Sequence, residues 1–134
     1  MAETEALVAA ARRVREQAYA PYSRFRVGAA LETEGGDVFV GSNVENASYG
    51  LTMCAERVAL GAAVAAGQRR FRRIAVSTEA DSPTPPCGAC RQVLAEFGMD
   101  LSVLSEARGQ RVEWRLRELL PEPFLFRERP AAGS

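Results

Sequence analysis

Apolar residues near the start of the chain recur every three or four positions, which is the spacing of one face of a helix. The pattern predicts a helix over residues 5–19, with Thr4 as its N-cap and Pro21 as the residue that ends it. Comparable spacing predicts two further helices and a short helical turn, over residues 54–66, 88–97 and 118–120.

Short apolar or alternating runs between these segments predict β-strands. They cover residues 26–34, 38–40, 73–78, 101–104 and 111–116. Gly35 and Gly36 predict a tight hairpin between the first two strands. Because the later strands alternate with helices, crossover connections are expected. The sequence therefore predicts an α/β layered domain with a mixed sheet of about five strands.

The chain is predicted to form one domain over residues 1–134, with a frayed tail over residues 129–134. Its apolar content of 47% is enough to build a core, and no linker or repeat divides it. It has no run of about 18 apolar residues, and its start lacks the features of a secretory signal. We predict a cytoplasmic protein, in which cysteines stay reduced.

The charge of the chain argues for a small substrate. Acidic and basic residues number 17 each, so the basic excess typical of proteins that bind nucleic acid is absent. The cluster of arginines within residues 69–73 is interpreted as a solvated turn. We predict no nucleic-acid partner and no membrane partner.

Two residue types are missing from the sequence. Without histidine, catalytic Ser-His and Cys-His pairs and every metal site that contains histidine are excluded. Every basic side chain is arginine, so no lysine is present to form a Schiff base. Catalysis must therefore depend on cysteine, carboxylates, hydroxyls, the backbone or a bound ion.

The three cysteines form the most specific pattern in the sequence. Cys87 and Cys90 are three residues apart at the start of a predicted helix, so their side chains are directed to one point. With Cys54 as a third thiolate they can hold Zn²⁺ and leave its fourth position open for water, and Glu56 stands two residues from Cys54. A structural zinc site normally has four protein ligands, and a redox pair would leave Cys54 unexplained.

Helix N-termini favour thiolates because they carry partial positive charge and free N–H groups. Three thiolates around Zn²⁺ leave a net negative charge, so the protein must withdraw charge from the sulfur atoms. We identify Arg57 as the side chain best able to donate hydrogen bonds to a sulfur ligand. This role for Arg57 is a hypothesis.

Over nearly its whole length the chain resembles the small, homotetrameric, zinc-dependent cytidine deaminases. The shared stretches are YAPYS (19–23), FRVGAA (25–30), NVENASY (43–49), CAER (54–57), PCGACRQ (86–92) and LLP (119–121). Together they are far more specific than either cysteine motif alone. The resemblance implies a three-layer α/β/α fold and a homotetramer whose active sites are shared between subunits.

The resemblance also implies a role for each residue of the metal site. Cys54, Cys87 and Cys90 would hold one Zn²⁺ per subunit, with water in the fourth position. Glu56 would be the catalytic residue that transfers the proton of this water to N3 of cytosine and then a proton to the departing amino group. The products would be uridine and ammonia.

Substrate contacts follow from the same resemblance. Phe25 would form an aromatic wall against the base, with core packing as its alternative role. Asn43 and Glu45 would bind sugar hydroxyls, and the charge on Glu45 would disfavour nucleotides. The backbone N–H of Ala55 would bind the pyrimidine O2, and a backbone carbonyl near Pro85 would bind the amino group.

Two aromatic residues are expected to act between subunits. Tyr49 and Phe124 resemble residues that complete the pocket of a neighbouring subunit. Phe126 lies so close to Phe124 in the sequence that it is an alternative for the same role. Ordinary packing in an interface or core is the alternative role of Tyr49 and of Phe124.

The predicted reaction is hydrolytic deamination of free cytidine and 2′-deoxycytidine, as in pyrimidine salvage. The alternatives are a deaminase of a modified cytosine nucleoside, of the blasticidin type, and a structural zinc-binding module. A deaminase that edits polynucleotides is disfavoured by the neutral charge.

Overall fold

The computed structural model describes residues 2–126, which fold around one five-stranded sheet. The strands are β1 (Val27–Thr33), β2 (Val38–Ser42), β3 (Phe71–Thr78), β4 (Ser102–Ala107) and β5 (Gln110–Arg115). The helices are α1 (Ala2–Arg15), α2 (Ala55–Ala65), α3 (Gly88–Ala95) and α4 (Leu116–Leu119), with a 3-10 turn at Tyr49–Leu51. Within the described part of the chain, no helix is long and apolar enough to cross a membrane.

The strands follow the order β2-β1-β3-β4-β5. Strands β3 and β4 run parallel, and every other neighbouring pair is antiparallel. The parallel pair requires a crossover, which the chain makes through α3. The predicted mixed sheet of five strands is confirmed.

Helices cover both faces of the sheet. In β1, Ala29 and Leu31 pack in the cluster that includes residues of α2 and α3, whereas Ala30 packs with Leu7 and Val8 of α1. This division follows from the alternation of side chains along a strand. The predicted three-layer α/β/α arrangement is confirmed, with α1 alone on one face and α2 and α3 on the other.

The first helix is displaced from its prediction. It begins at Ala2, so Thr4 lies inside the helix and is not its N-cap. The Thr4 hydroxyl instead accepts a hydrogen bond of 2.9 Å from Arg73 of β3. The Thr4 hydroxyl, predicted to cap the helix, therefore makes a tertiary contact that the local sequence does not reveal.

The same helix ends at Arg15 rather than at Tyr19. Tyr19 forms a parallel bridge with Val44, in which its N–H donates to the carbonyl of Asn43 and its carbonyl accepts from Glu45. The backbone of Tyr19 therefore cannot continue the helix. Residues 43–53, which lie between the predicted strand 38–40 and the predicted helix 54–66, also contain an antiparallel bridge between Val44 and Met53. The predicted tail at 129–134 lies outside the described residues.

Gly41 allows the helix that carries Cys54 to approach the sheet closely. A Cβ atom at this position would clash with the backbone nitrogen of Ala59 and lie 2.8 Å from the carbonyl oxygen of Ala55. Both contacts are with the backbone of α2, which cannot rotate away. The close packing of β2 against the first half of α2 therefore requires glycine here.

We expect Gly41→Ala to lower the free energy of unfolding by about 1–3 kcal/mol, because α2 must move away from the sheet. Chemical denaturation followed by circular dichroism measures the change. Gly61→Ala is the matched control, because Gly61 lies on the exposed side of α2 with nothing within 4 Å of the added carbon. This control is expected to stabilise the protein by up to about 1 kcal/mol. Equal stability of the two variants would contradict this account of Gly41.

Candidate metal centre and active site

Two helix N-termini bring the three cysteines together. Cys54 is the N-cap of α2 and Cys87 is the N-cap of α3, and both have extended backbone angles. Cys90 follows in the first turn of α3 and is fully buried. The three sulfur atoms lie within 4.8 Å of one another, and the Sγ atoms of Cys54 and Cys87 are 3.7 Å apart.

This spacing fits a tetrahedral zinc ion. Zn–S bonds of about 2.3 Å in tetrahedral geometry place two sulfur atoms about 3.8 Å apart. Among residues 2–126, no fourth cysteine, histidine, aspartate or glutamate joins the group. Three sulfur ligands without a fourth side chain match a catalytic rather than a structural zinc site.

Hydrogen bonds stabilise negative charge on these sulfur atoms. The guanidinium of Arg57 lies 3.4 Å from Sγ of Cys54, and the backbone N–H of Cys90 donates to Sγ of Cys87 over 3.4 Å. Hydrogen bonding with Cys90, followed by hydrogen bonding with Arg57, lowers the pKa of Cys54 to about 5. The same contact with Cys54, together with burial, raises the pKa of Cys90. Cys54 is therefore a thiolate at neutral pH, which is the form that binds zinc.

Glu56 is buried in the first turn of α2, with 5% of its surface exposed. Burial is the main reason that its pKa rises to about 7, and the neighbouring Cys54 thiolate adds to the shift. A carboxyl group with this pKa can both accept and release a proton near neutral pH. The local sequence places Glu56 beside Cys54, but its burial is a result of the fold.

A cavity of about 460 Å³ brings most of the predicted site residues together. Those that line it are Phe25, Asn43, Glu45, Cys54, Ala55, Glu56 and Cys87. A larger cavity of about 800 Å³ lies towards the opposite end of the sheet, beside Arg73 and Ser102, and contains none of the predicted site residues. The smaller cavity is therefore the candidate active site.

The amide of Asn43 is already bound to the backbone of the segment that carries Phe25. Its Oδ1 accepts from the N–H of Val27 and its Nδ2 donates to the carbonyl of Phe25, both over 2.8 Å. One amide hydrogen of Asn43 is left for another partner. Asn43 thus positions the predicted aromatic wall at the same time as it faces the cavity.

Glu45 holds the preceding turn of the same segment. Its Oε1 accepts from the backbone N–H groups of Tyr22 (2.9 Å) and Ser23 (3.1 Å), and its Oε2 accepts from the Ser23 hydroxyl. The Ser23 hydroxyl bond is the main reason that the pKa of Glu45 is lowered. Ser23 lines the cavity but was not predicted as a site residue, because its contact with Glu45 is visible only in the fold.

Tyr49 and Phe124 do not line the cavity of the single chain. Their exposed fractions are 74% and 71%, and that of Phe126 is 73%. Tyr49 packs edge-on against Tyr22, with ring centres 6.0 Å apart. The backbone of Phe124 is fixed by the Gln92 amide of α3 through bonds of 2.7 Å and 3.1 Å. The rings of Phe124 and Phe126 are themselves in contact, 5.7 Å apart between centres.

The chain as a whole matches a known class of zinc protein. The family model for the cytidine and deoxycytidylate deaminase zinc-binding region matches residues 1–106, which include all three cysteines and Glu56. The chain belongs to this family. The prediction of a zinc-dependent deaminase is confirmed by this match, and Cys54, Cys87 and Cys90 form a group of three sulfur atoms that could hold the metal.

Individual relatives agree over almost the full length. The chain is 50% identical over 124 residues to a cytidine deaminase of Halalkalibacterium halodurans, covering 91% of this chain and 94% of the relative. It is 46% identical over 124 residues to a cytidine deaminase of Sporosarcina psychrophila, covering 91% of each. The crystal structure of a cytidine deaminase from Burkholderia pseudomallei superimposes with a TM-score of 0.87 at 53% identity, covering 90% of this chain and 98% of that one.

The hydrogen bond from Arg57 generates a prediction about metal retention. Arg57→Gln removes the positive charge beside Sγ of Cys54, so the thiolate is less favoured. We expect the dissociation constant for zinc to rise about tenfold or more, measured by competition with a chelator. Arg69→Gln is the control, because Arg69 binds carbonyls at the far end of α2. An unchanged zinc affinity in Arg57→Gln would refute this role.

Proposed function

We propose that the protein hydrolyses the 4-amino group of free cytidine and 2′-deoxycytidine, with release of ammonia and the corresponding uridine. The observation that carries the proposal is a buried glutamate, Glu56, next to an incompletely ligated three-sulfur site in one cavity. The relatives named as cytidine deaminases support the same substrate class. Such a reaction belongs to pyrimidine salvage.

Cys54, Cys87 and Cys90 would hold the zinc ion, which would supply an acidified water as the nucleophile. Glu56 takes the proton from this nucleophile and delivers it to N3 of the pyrimidine. As the water oxygen bonds to C4, its remaining proton passes to Glu56 and from there to the amino group, which leaves as ammonia when the C4–N bond breaks. Atoms balance because one water enters while one ammonia departs. The raised pKa of Glu56 suits each of these transfers.

Residues that line the cavity are positioned to bind the nucleoside. Phe25, 38% exposed, offers a ring face to the base. Ala55 is the first residue of α2, so its N–H has no acceptor within the helix and can bind the pyrimidine O2. The remaining amide hydrogen of Asn43 and the remaining lone pair of Glu45 are assigned to the sugar hydroxyls.

The charge on Glu45 favours nucleosides over nucleotides. Its pKa is lowered by three hydrogen bonds from Tyr22 and Ser23, so it stays ionised at neutral pH. A carboxylate at the sugar end of the cavity repels a phosphate group. The family includes deaminases of the nucleotide as well as the nucleoside, and this charge supports the second class for this chain.

We further propose a homotetramer of single-domain chains, located in the cytoplasm. Two exposed ring pairs, Tyr49 with Tyr22 and Phe124 with Phe126, support an interface, because large exposed apolar side chains in contact mark interaction sites. In the tetramer the rings of Tyr49 and Phe124, with Phe126 as the alternative to Phe124, each complete the cavity of a neighbouring subunit. No polynucleotide or membrane partner is included in the proposal.

Glu56→Gln separates this enzyme from a structural zinc module. The variant keeps the size of the side chain but cannot transfer protons, so we expect deamination to fall by about a thousandfold or more. Zinc content, measured by atomic emission, is expected to stay at one ion per chain. Glu96→Gln, at the exposed end of α3, is the control and should keep full activity. Full activity in Glu56→Gln would refute the proposed function.

The deamination assay also distinguishes the substrate classes. Loss of cytosine absorbance is followed for wild type with cytidine, deoxycytidine, deoxycytidine monophosphate, blasticidin S and single-stranded DNA. The proposal requires that the two free nucleosides react with the highest kcat/KM. A preference for blasticidin S, the nucleotide or DNA would replace the proposed substrate by that class.

A further inference from the structure

One wall of the cavity is a segment with few backbone donors. Thr84, Pro85 and Pro86 all line the cavity and lead directly into the zinc ligand Cys87. Proline has no N–H group, so two consecutive residues of this wall cannot form donor hydrogen bonds with the rest of the fold. Their carbonyl groups are the only backbone groups through which the protein can hold them.

Ser105 of β4 binds the carbonyl of Thr84, the first residue of this wall. Its hydroxyl donates to the carbonyl oxygen of Thr84 over 2.7 Å, and the residue is fully buried. It belongs to a central strand, paired with Val76 of β3, which also lines the cavity. The anchor therefore has the rigidity of the sheet, and the bond spans 21 positions of sequence.

Arg91 of α3 binds the carbonyl of Pro86, the third residue of this wall. Its Nε donates to the carbonyl of Pro86 over 2.7 Å, and its Nη1 donates to the carbonyl of Leu119 over 2.8 Å. The guanidinium thus ties the wall to both α3 and the end of α4. Because Arg91 begins the second turn after Cys87, it also fixes the approach of the chain to the metal site.

The carbonyl of Pro85 lies between these two anchors and accepts no hydrogen bond from residues 2–126. The rings of Pro85 and Pro86 lock φ near about −65°, so fixing the carbonyls on either side leaves the one between them little freedom. Because Pro85 lines the cavity and its carbonyl has no partner among residues 2–126, this carbonyl is available as a hydrogen-bond acceptor for a ligand.

We propose that Ser105, assisted by Arg91, is a positioning residue that holds the Pro85 carbonyl where it accepts a hydrogen bond from the 4-amino group of the substrate. This inference rests on the proposed deamination of cytidine. The carbonyl distinguishes an amino group, which donates, from a carbonyl oxygen, which only accepts. Ser105 thereby contributes to substrate selection without touching the nucleoside.

The test compares two ligands that differ only at C4. Ser105→Ala frees the Thr84 carbonyl, so kcat/KM for cytidine is expected to fall about tenfold. The inhibition constant of the pyrimidin-2-one riboside, which has no 4-amino group, is expected to stay unchanged. Ser105→Thr keeps the hydroxyl and should restore most of the cytidine activity. Arg91→Leu removes the hydrogen bond to the Pro86 carbonyl, and we expect it to cause the same selective loss of kcat/KM for cytidine.

Ser77→Ala is the matched control for the loss of a buried hydroxyl. Ser77 is equally buried on the neighbouring strand β3, but its hydroxyl bonds to Glu106 and Arg15 on the face covered by α1. We expect the melting temperature of Ser77→Ala to fall as in Ser105→Ala, whereas its kcat/KM for cytidine relative to its affinity for the pyrimidin-2-one riboside should not change. The positioning role would be overturned if Ser105→Ala lowered kcat/KM for cytidine and the affinity for the pyrimidin-2-one riboside equally, or changed neither. Absence of cytidine turnover in wild type would instead overturn the proposed function.

Discussion

The structure depends on the convergence of three cysteine sulfur atoms at the N-termini of two helices. Cys54 and Cys87 are 33 positions apart in the sequence, yet their sulfur atoms lie within 3.7 Å. This requires α2 to pack tightly on β2, which Gly41 permits, and the crossover through α3 to return to the same end of the sheet. The negative charge on the clustered sulfur atoms is then stabilised by helix dipoles, backbone N–H groups and Arg57.

Around this centre, the sheet and helices hold loops through a few polar side chains. Asn43 and Glu45 fix the segment that carries Phe25, and Ser105 and Arg91 fix the proline-rich wall on the other side. Each anchor bonds to backbone groups, so it sets the position of the loop itself. The cavity is therefore shaped before a ligand enters, which lowers the entropy cost of binding.

The metal chemistry could be predicted from the sequence because it depends on rare residue types at fixed spacing. Three cysteines, no histidine and one glutamate beside Cys54 left few alternatives. The mixed sheet of about five strands was predicted from a hairpin followed by strands that alternate with helices, whereas the order of the strands was not predicted. The contacts of Ser23 and Ser105 could not be predicted, because serine is common and each bond joins segments that only the fold brings together. The predicted end of α1 at residue 19 was wrong for a similar reason, because Tyr19 pairs with Val44, which only the fold brings close.

The central claim is that zinc has three sulfur ligands and a fourth position that exchanges. X-ray absorption at the zinc edge of the purified protein, with and without the pyrimidin-2-one riboside, tests it most directly. The account predicts three sulfur atoms at about 2.3 Å and one oxygen at about 2.0 Å, whose signal changes when the nucleoside analogue binds. A fourth side-chain ligand that is unaffected by the analogue would contradict it.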